Sequence, residues 1–194
     1  TSLQSPPFSL IAAHTLKPSQ NLYTEVILRT LGKLRAVPVD PASAAAPLRD
    51  NEAAGLQVVR EFLRQAGVDD SQLNLSDGSG LSRNDMIMAD ATVELLTFMT
   101  KHRYFAQFRE ALPVAGVDGT LRNRMRGTPA EGNVRAKTGT LSSVASLGGY
   151  VTTAGGERLA FSMMLNNYPD ASALRRDSID AIAVLLASYG GKTQ

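Results

Sequence analysis

The stretch of this sequence best suited to chemistry is Lys137-Thr138-Gly139-Thr140. It lies in a segment, 134–141, that reads as a strand, so Thr138 and Thr140 share one face while Lys137 and Gly139 point to the other. A lysine amine beside hydroxyls attracts an anion and helps a proton move. Glycine leaves the strand open to an approaching backbone. Lys-Thr-Gly is also one of three sequence elements of a site at which a serine hydroxyl attacks a carbonyl carbon. A second element, Ser-x-Asn, is present far upstream as Ser19-Gln20-Asn21. The third, Ser-x-x-Lys, holds the nucleophile and its base, and it occurs nowhere in the 194 residues.

The elements that must position these residues follow from periodicity and from turn residues. Pro18 keeps Lys17 out of helical geometry, so Ser19 and Asn21 fall at a helix mouth, where short polar side chains are favoured as caps. Helices are expected over 6–13 and 22–31, the latter with Leu22, Val26, Ile27 and Leu31 on one face. A proline-rich loop over 34–47 leads to a helix over 49–66, with Leu56, Val59, Phe62 and Leu63 inward and Gly67 as its stop. Residues 73–83 are turn material, 86–99 reads as helix, and a short helix runs through Phe105 and Phe108 before Pro113. After a polar loop over 116–132 the period changes to two. Strands are expected over 134–141, 147–153 and 159–166, the last two joined by a hairpin at Ala154-Gly155-Gly156-Glu157. A closing helix over 170–189 places Leu174, Ile182, Leu185 and Leu186 on the sheet. The fold class is therefore α+β, a helical region followed by a three-stranded antiparallel meander and a C-terminal helix packed on it.

Composition narrows the function classes. Twenty Lys and Arg against eighteen Asp and Glu, with no run of like charges, point to no nucleic-acid partner. The absence of cysteine excludes disulfides and thiolate metal sites. His14 and His102 stand in no metal-binding spacing, so neither a metal nor another cofactor is expected. No segment reaches the roughly 20 apolar residues of a membrane span, and residues 1–20 lack the pattern of a secretory signal. One domain covering 1–194 is the expectation from length. The glycines of Asp77-Gly78-Ser79-Gly80 lack the lysine and the preceding strand of a phosphate loop. Ser82-Arg83-Asn84 repeats Ser-x-Asn but adjoins that glycine block and ends only 53 positions before Lys137, so Ser19 is preferred.

Taken together, Ser19 to Glu25, Asp77 to Arg83, Val117-Asp118-Gly119-Thr120-Leu121 and Ala136 to Leu141 resemble the C-terminal half of class C low-molecular-mass penicillin-binding proteins. These are serine D-alanyl-D-alanine carboxypeptidases and endopeptidases of the β-lactamase/transpeptidase-like superfold. The resemblance implies a partial fold of that kind, in which the nucleophile-bearing N-terminal part is not in this chain. It implies that Ser19 passes a proton towards the leaving amine, Asn21 orients the substrate, and Lys137 aids proton transfer and anion binding. Thr138 and Thr140 would reach the terminal carboxylate, with Gly139 clearing space for the peptide. The Thr140 N–H would be half of an oxyanion hole. Leu81 and Arg83, with Leu141 and Ser142, would border the pocket for the peptide stem, and Arg83 has the bidentate fork suited to a free carboxylate.

The implied partners are a peptidoglycan stem peptide and β-lactams, the latter covalent only where the nucleophile is present. The location is periplasmic or extracellular. Two strands of the resembled sheet come from the N-terminal part, so association with that missing half or with a second copy is expected. Two other readings remain open. One is a non-catalytic module that binds peptidoglycan peptides or a partner, supported by the absent Ser-x-x-Lys. The other is a fragment of a class A β-lactamase, opposed by the lack of Glu-x-x-Leu-Asn.

Overall fold

A computed structural model describes residues 4–35, 51–168 and 174–192, and among them the chain forms two compact units. One comprises residues up to Ser19 together with everything from Leu96 onward; the other runs from Gln20 to Leu95.

The first unit is built on an antiparallel sheet of β3 (Arg135–Leu141), β4 (Val144–Thr152) and β5 (Arg158–Leu165), in the order β3-β4-β5. Its register pairs Lys137 with Gly148 and Thr138 with Leu147. Alternation along β4 sends Leu147 and Val151 to one face, where they meet Ile179, Ala183 and Ala187 of α6 (Leu174–Ser188). Tyr150 goes to the other face, into a cluster with Leu16 of α1 (Phe8–Leu16) and Phe105 and Phe108 of α5 (Phe105–Ala111). Leu96 and Leu112 complete that cluster. The central strand is thus covered on both sides. Leu147 is 0% exposed, a burial that stabilises by about 2 kcal/mol. Tyr150 also places its hydroxyl against the Leu96 carbonyl at 2.8 Å, so its polar end is satisfied inside the core.

The second unit pairs α2 (Asn21–Arg35) with α3 (Asn51–Gln65). Two glycines let the backbones touch. A Cβ on Gly32 would stand 2.0 Å from the Asn51 carbonyl oxygen, and one on Gly55 would stand 2.3 Å from that of Leu28. A smaller core of Leu63, Val68 and Ala91 gathers Val59, Leu73 and Leu75 around it. A two-rung ladder joins β1 (Leu73–Asn74) to β2 (Met86–Ile87), ahead of α4 (Ala89–Thr100).

Several expectations need correction. Leu22 and Val26 are exposed, and the inward residues of α2 are Leu28 and Gly32, because the glycine contact decides which face meets α3. Phe62 is 39% exposed rather than inward. Met86 and Ile87 are strand, so the following helix begins at Ala89. On α6 the small residues Ala183 and Ala187 lie on the sheet, permitting close approach, while Leu174, Ile182 and Leu185 face outward. The expected loop over 34–47, and the starts of the helices expected at 49 and 170, fall on or run into residues 36–50 and 169–173, outside the described residues.

Candidate active site

Ser19 and Lys137 meet within the first unit. The Lys137 Nζ donates to Ser19 Oγ at 2.7 Å and to the Thr138 carbonyl at 2.7 Å. Both contacts leave the amine half-buried, and burial lowers its pKa below the usual lysine value. Ser19 adopts a left-handed backbone with φ of 61°, a conformation disfavoured for a residue with a side chain. Such local strain persists where the surroundings over-determine it.

Those surroundings are the residues of the Val117 to Leu121 block. The Thr120 N–H donates to the Lys17 carbonyl at 3.0 Å, fixing the turn that presents Ser19. Gly119, with φ of 54°, packs so close that a Cβ there would stand 2.6 Å from the same carbonyl oxygen. The Lys17 amine is held by Asp118 Oδ2 at 2.6 Å and by the Leu112 carbonyl at 3.0 Å. Asp118 Oδ1 in turn accepts from the Val114 N–H at 2.9 Å. Burial pushes the Asp118 carboxyl up, but the Lys17 hydrogen bond and the Val114 N–H outweigh it, so its pKa is lowered. Finally the Thr138 hydroxyl donates to that of Thr120 at 2.9 Å. One loop therefore ties the Ser19 turn to the Lys137 strand.

On the opposite face of β3, Thr138 and Thr140 line an open groove with Thr120, Arg122, Asn123 and Arg176. The period-two expectation for the two threonines holds. Gly139 has a steric reason visible inside the sheet, since a Cβ there would stand 2.3 Å from Ser146 Oγ on β4. Leu141 ends β3 and is partly buried, and Ser142 follows it exposed in the turn.

Asn21, Leu81 and Arg83 belong to the second unit. Asn21 opens α2, where its carbonyl accepts from the Thr24 hydroxyl at 2.8 Å. Leu81 and Arg83 are exposed on a loop organised by Asp77, whose carboxylate accepts from Gly80 N at 2.7 Å, Ser79 Oγ at 3.0 Å and Ser82 N at 3.1 Å. Glu25 of α2 pins this loop by accepting from Gly78 N at 2.9 Å.

Lys17, Asp118 and Thr120 are positioning residues to which motif reading gave no role, although Asp118 and Thr120 stand in a block that carries the resemblance. By local rules Asp118-Gly119 reads as a turn, and nothing local links it to a lysine that precedes it by 101 positions. The weak signal was the pairing of opposite charges, Lys17 beside Ser19 and Asp118 beside Gly119.

This arrangement of helices and antiparallel sheet defines the β-lactamase/transpeptidase-like fold. It matches an extended-spectrum β-lactamase with a TM-score of 0.64 at 17% identity, over 90% of this chain and 61% of the other. Residues 1–189 match the D-Ala-D-Ala carboxypeptidase 3 (S13) family, and the chain belongs to that family. It is 42% identical over 192 residues to a D-alanyl-D-alanine carboxypeptidase from Actinomadura sp. (strain R39), covering 96% of this chain and 33% of that protein. Penicillin-binding protein 4 from Haemophilus influenzae superposes with a TM-score of 0.81 at 27% identity, over 95% of this chain and 41% of the other. The chain thus spans about a third of the length of the first curated relatives it matches.

Proposed function

We propose that this chain carries two of the three elements of a serine D-alanyl-D-alanine carboxypeptidase or endopeptidase acting on peptidoglycan stem peptides outside the cytoplasmic membrane. The observation that carries the reading is the 2.7 Å contact between Lys137 Nζ and Ser19 Oγ, two residues far apart in sequence from two different motifs. In this reading the attacking serine and its lysine base lie in a part of the protein beyond these 194 residues, and the 194 residues form one catalytic domain with that part. The attack forms an acyl-enzyme with release of the terminal amine, and water then frees the acyl group. Lys137, protonated and held against Ser19, orients the hydroxyl that relays a proton to the departing nitrogen. Asn21 of the same Ser-x-Asn element holds the substrate amide. Thr138 and Thr140 receive the terminal carboxylate, with Gly139, Leu141 and Ser142 beside them. The Thr140 N–H is one donor to the developing oxyanion, and one such donor contributes about 3 kcal/mol. Leu81 and Arg83 contact the stem-peptide side chain.

Reaction with β-lactams follows from the same chemistry. The Haemophilus influenzae relative has been crystallised with a β-lactam. The test is fluorescent penicillin labelling with intact-mass analysis, on this chain and on the chain with the upstream coding segment restored. An adduct is expected only on the longer protein; an adduct on the short chain would mean that another residue is the nucleophile. A second reading, a non-catalytic module that binds peptidoglycan peptides, is favoured by the lack of Ser-x-x-Lys in this sequence. It predicts reversible peptide binding and no adduct on either protein.

A further inference from the structure

A second cationic site lies on the same sheet, formed where β4 and β5 begin their hairpin. A cavity of about 160 Å³ there is lined by Arg109, Arg158, Phe105, Tyr150 and Thr152, among others. Arg135, whose side chain is largely buried, joins the group through Glu110. That carboxylate accepts from Arg109 Nη1 at 3.3 Å and from Arg135 Nη1 at 3.1 Å. Two guanidinium groups, those of Arg109 and Arg135, therefore share one carboxylate that is 63% exposed, and Arg158 lines the same cavity as Arg109. Among the described residues Arg158 has no side-chain ion pair, and the buried Arg135 Nε has no hydrogen-bond partner. The Arg109 pKa is lowered by burial first and then by Arg135 and Arg158, against the pull of Glu110. Burial, and after it the neighbouring charges of Arg135 and Arg158, disfavour the charged Arg109 guanidinium, and an anion in the cavity would offset both.

Apart from the Thr152 hydroxyl, the neutral polar side chains around the cavity are already committed. The Tyr150 hydroxyl donates to the Leu96 carbonyl and the Thr100 hydroxyl to that of Thr97. The Asn133 amide is held to Pro129 and to both backbone groups of Thr152. The donors left for a ligand are chiefly guanidinium N–H groups, whose planar fork matches phosphate and carboxylate oxygens. Size selects between ligand classes. At about 160 Å³ the cavity is well short of the several hundred Å³ of an ordinary small-molecule pocket, which suits a small anion.

We propose that this cavity binds a single tetrahedral oxyanion of the phosphate class, held by Arg109 and Arg158 and favoured by the charge of Arg135. The site is independent of the proposed acyl transfer, which uses none of these arginines.

The test is thermal unfolding of the protein at fixed ionic strength with inorganic phosphate, glycerol 1-phosphate, dimethyl phosphate or acetate, and with chloride as the control. Inorganic phosphate is expected to raise Tm with the logarithm of its concentration above Kd, by about 3 °C at ten times Kd. Arg158→Gln is expected to weaken binding at least tenfold; with no ion pair to lose, this variant keeps its fold. Arg109→Gln/Arg158→Gln should abolish the response. Equal responses to glycerol 1-phosphate and inorganic phosphate, with none to dimethyl phosphate, identify a free or terminal phosphate as the ligand; an equal response to dimethyl phosphate identifies a phosphodiester. No rise beyond the chloride control, an equal rise with acetate, or an undiminished rise in Arg158→Gln measured by calorimetry overturns the proposal.

Discussion

Ser19 holds the left-handed backbone that glycine adopts freely, while its hydroxyl meets a lysine. Position and chemistry thus make opposite demands on this residue. Ser19→Gly is expected to leave stability unchanged or slightly higher, since relief of about 1 kcal/mol of strain offsets the greater freedom of glycine in the unfolded chain. Ser19→Ala keeps the strain and should be the less stable of the two by about 1 kcal/mol in urea unfolding. Both should lose penicillin acylation when placed in the complete protein. Lys137 offers a separate check by pH. Its folded pKa is depressed by burial, so between that value and 10.5 the unfolded chain binds more protons than the folded one, and stability rises with pH across that window. Urea midpoints from pH 7 to 10.5 should show this rise for the native sequence and lose it in Lys137→Met. In the complete protein that variant should acylate more slowly by on the order of 10²-fold.

At the scale of elements, the loop through Asp118 and Thr120 does the work of joining the Ser19 turn to β3. Asp118→Ala removes a carboxylate that serves both Lys17 and the Val114 N–H, and should cost about 1–3 kcal/mol. Because the folded pKa of Asp118 lies below 3.8, its contribution is present above that pH and is lost as the pH falls through the folded value. Acid titration of stability should therefore be shallower in Asp118→Asn than in the native protein. In the other unit the α2 and α3 backbones touch at two glycines. Gly55→Ala would drive its Cβ into the Leu28 carbonyl and force the helices apart, an overpacking cost of about 1–3 kcal/mol measurable by urea unfolding. A Gly55→Ala protein as stable as the native one would show that the two helices separate without loss.

For the whole molecule, the surfaces left open carry the next prediction. β5 has one neighbour among the described strands, and α6 turns Leu174, Ile182 and Leu185 outward, the last 69% exposed. An unpaired strand edge beside an apolar helix face favours association. We expect this chain alone to self-associate in light scattering, and Ile182→Lys/Leu185→Lys to shift it towards monomer. A monomer with no dye-binding apolar surface would count against that expectation.

Much of this architecture was legible in order and type. The change from helical to period-two patterning near residue 134, the hairpin at Gly155-Gly156, and the closing helix all follow from local rules, and so does the shared face of Thr138 and Thr140. Motif spacing pointed to Ser19 and Lys137 as partners. Local rules did not say which face of a helix turns inward. On α2 and α6 the answer came from Gly32 and Ala183, small residues that admit close approach, against larger side chains that a hydrophobic pattern would have chosen. Nor did they link Lys17 to Asp118, or gather Arg109, Arg135 and Arg158. Residue type and spacing along the chain thus determined the elements and named the candidate chemistry. Backbone approach and long-range charge pairing, which arise only when distant segments share one small volume, decided where each side chain went.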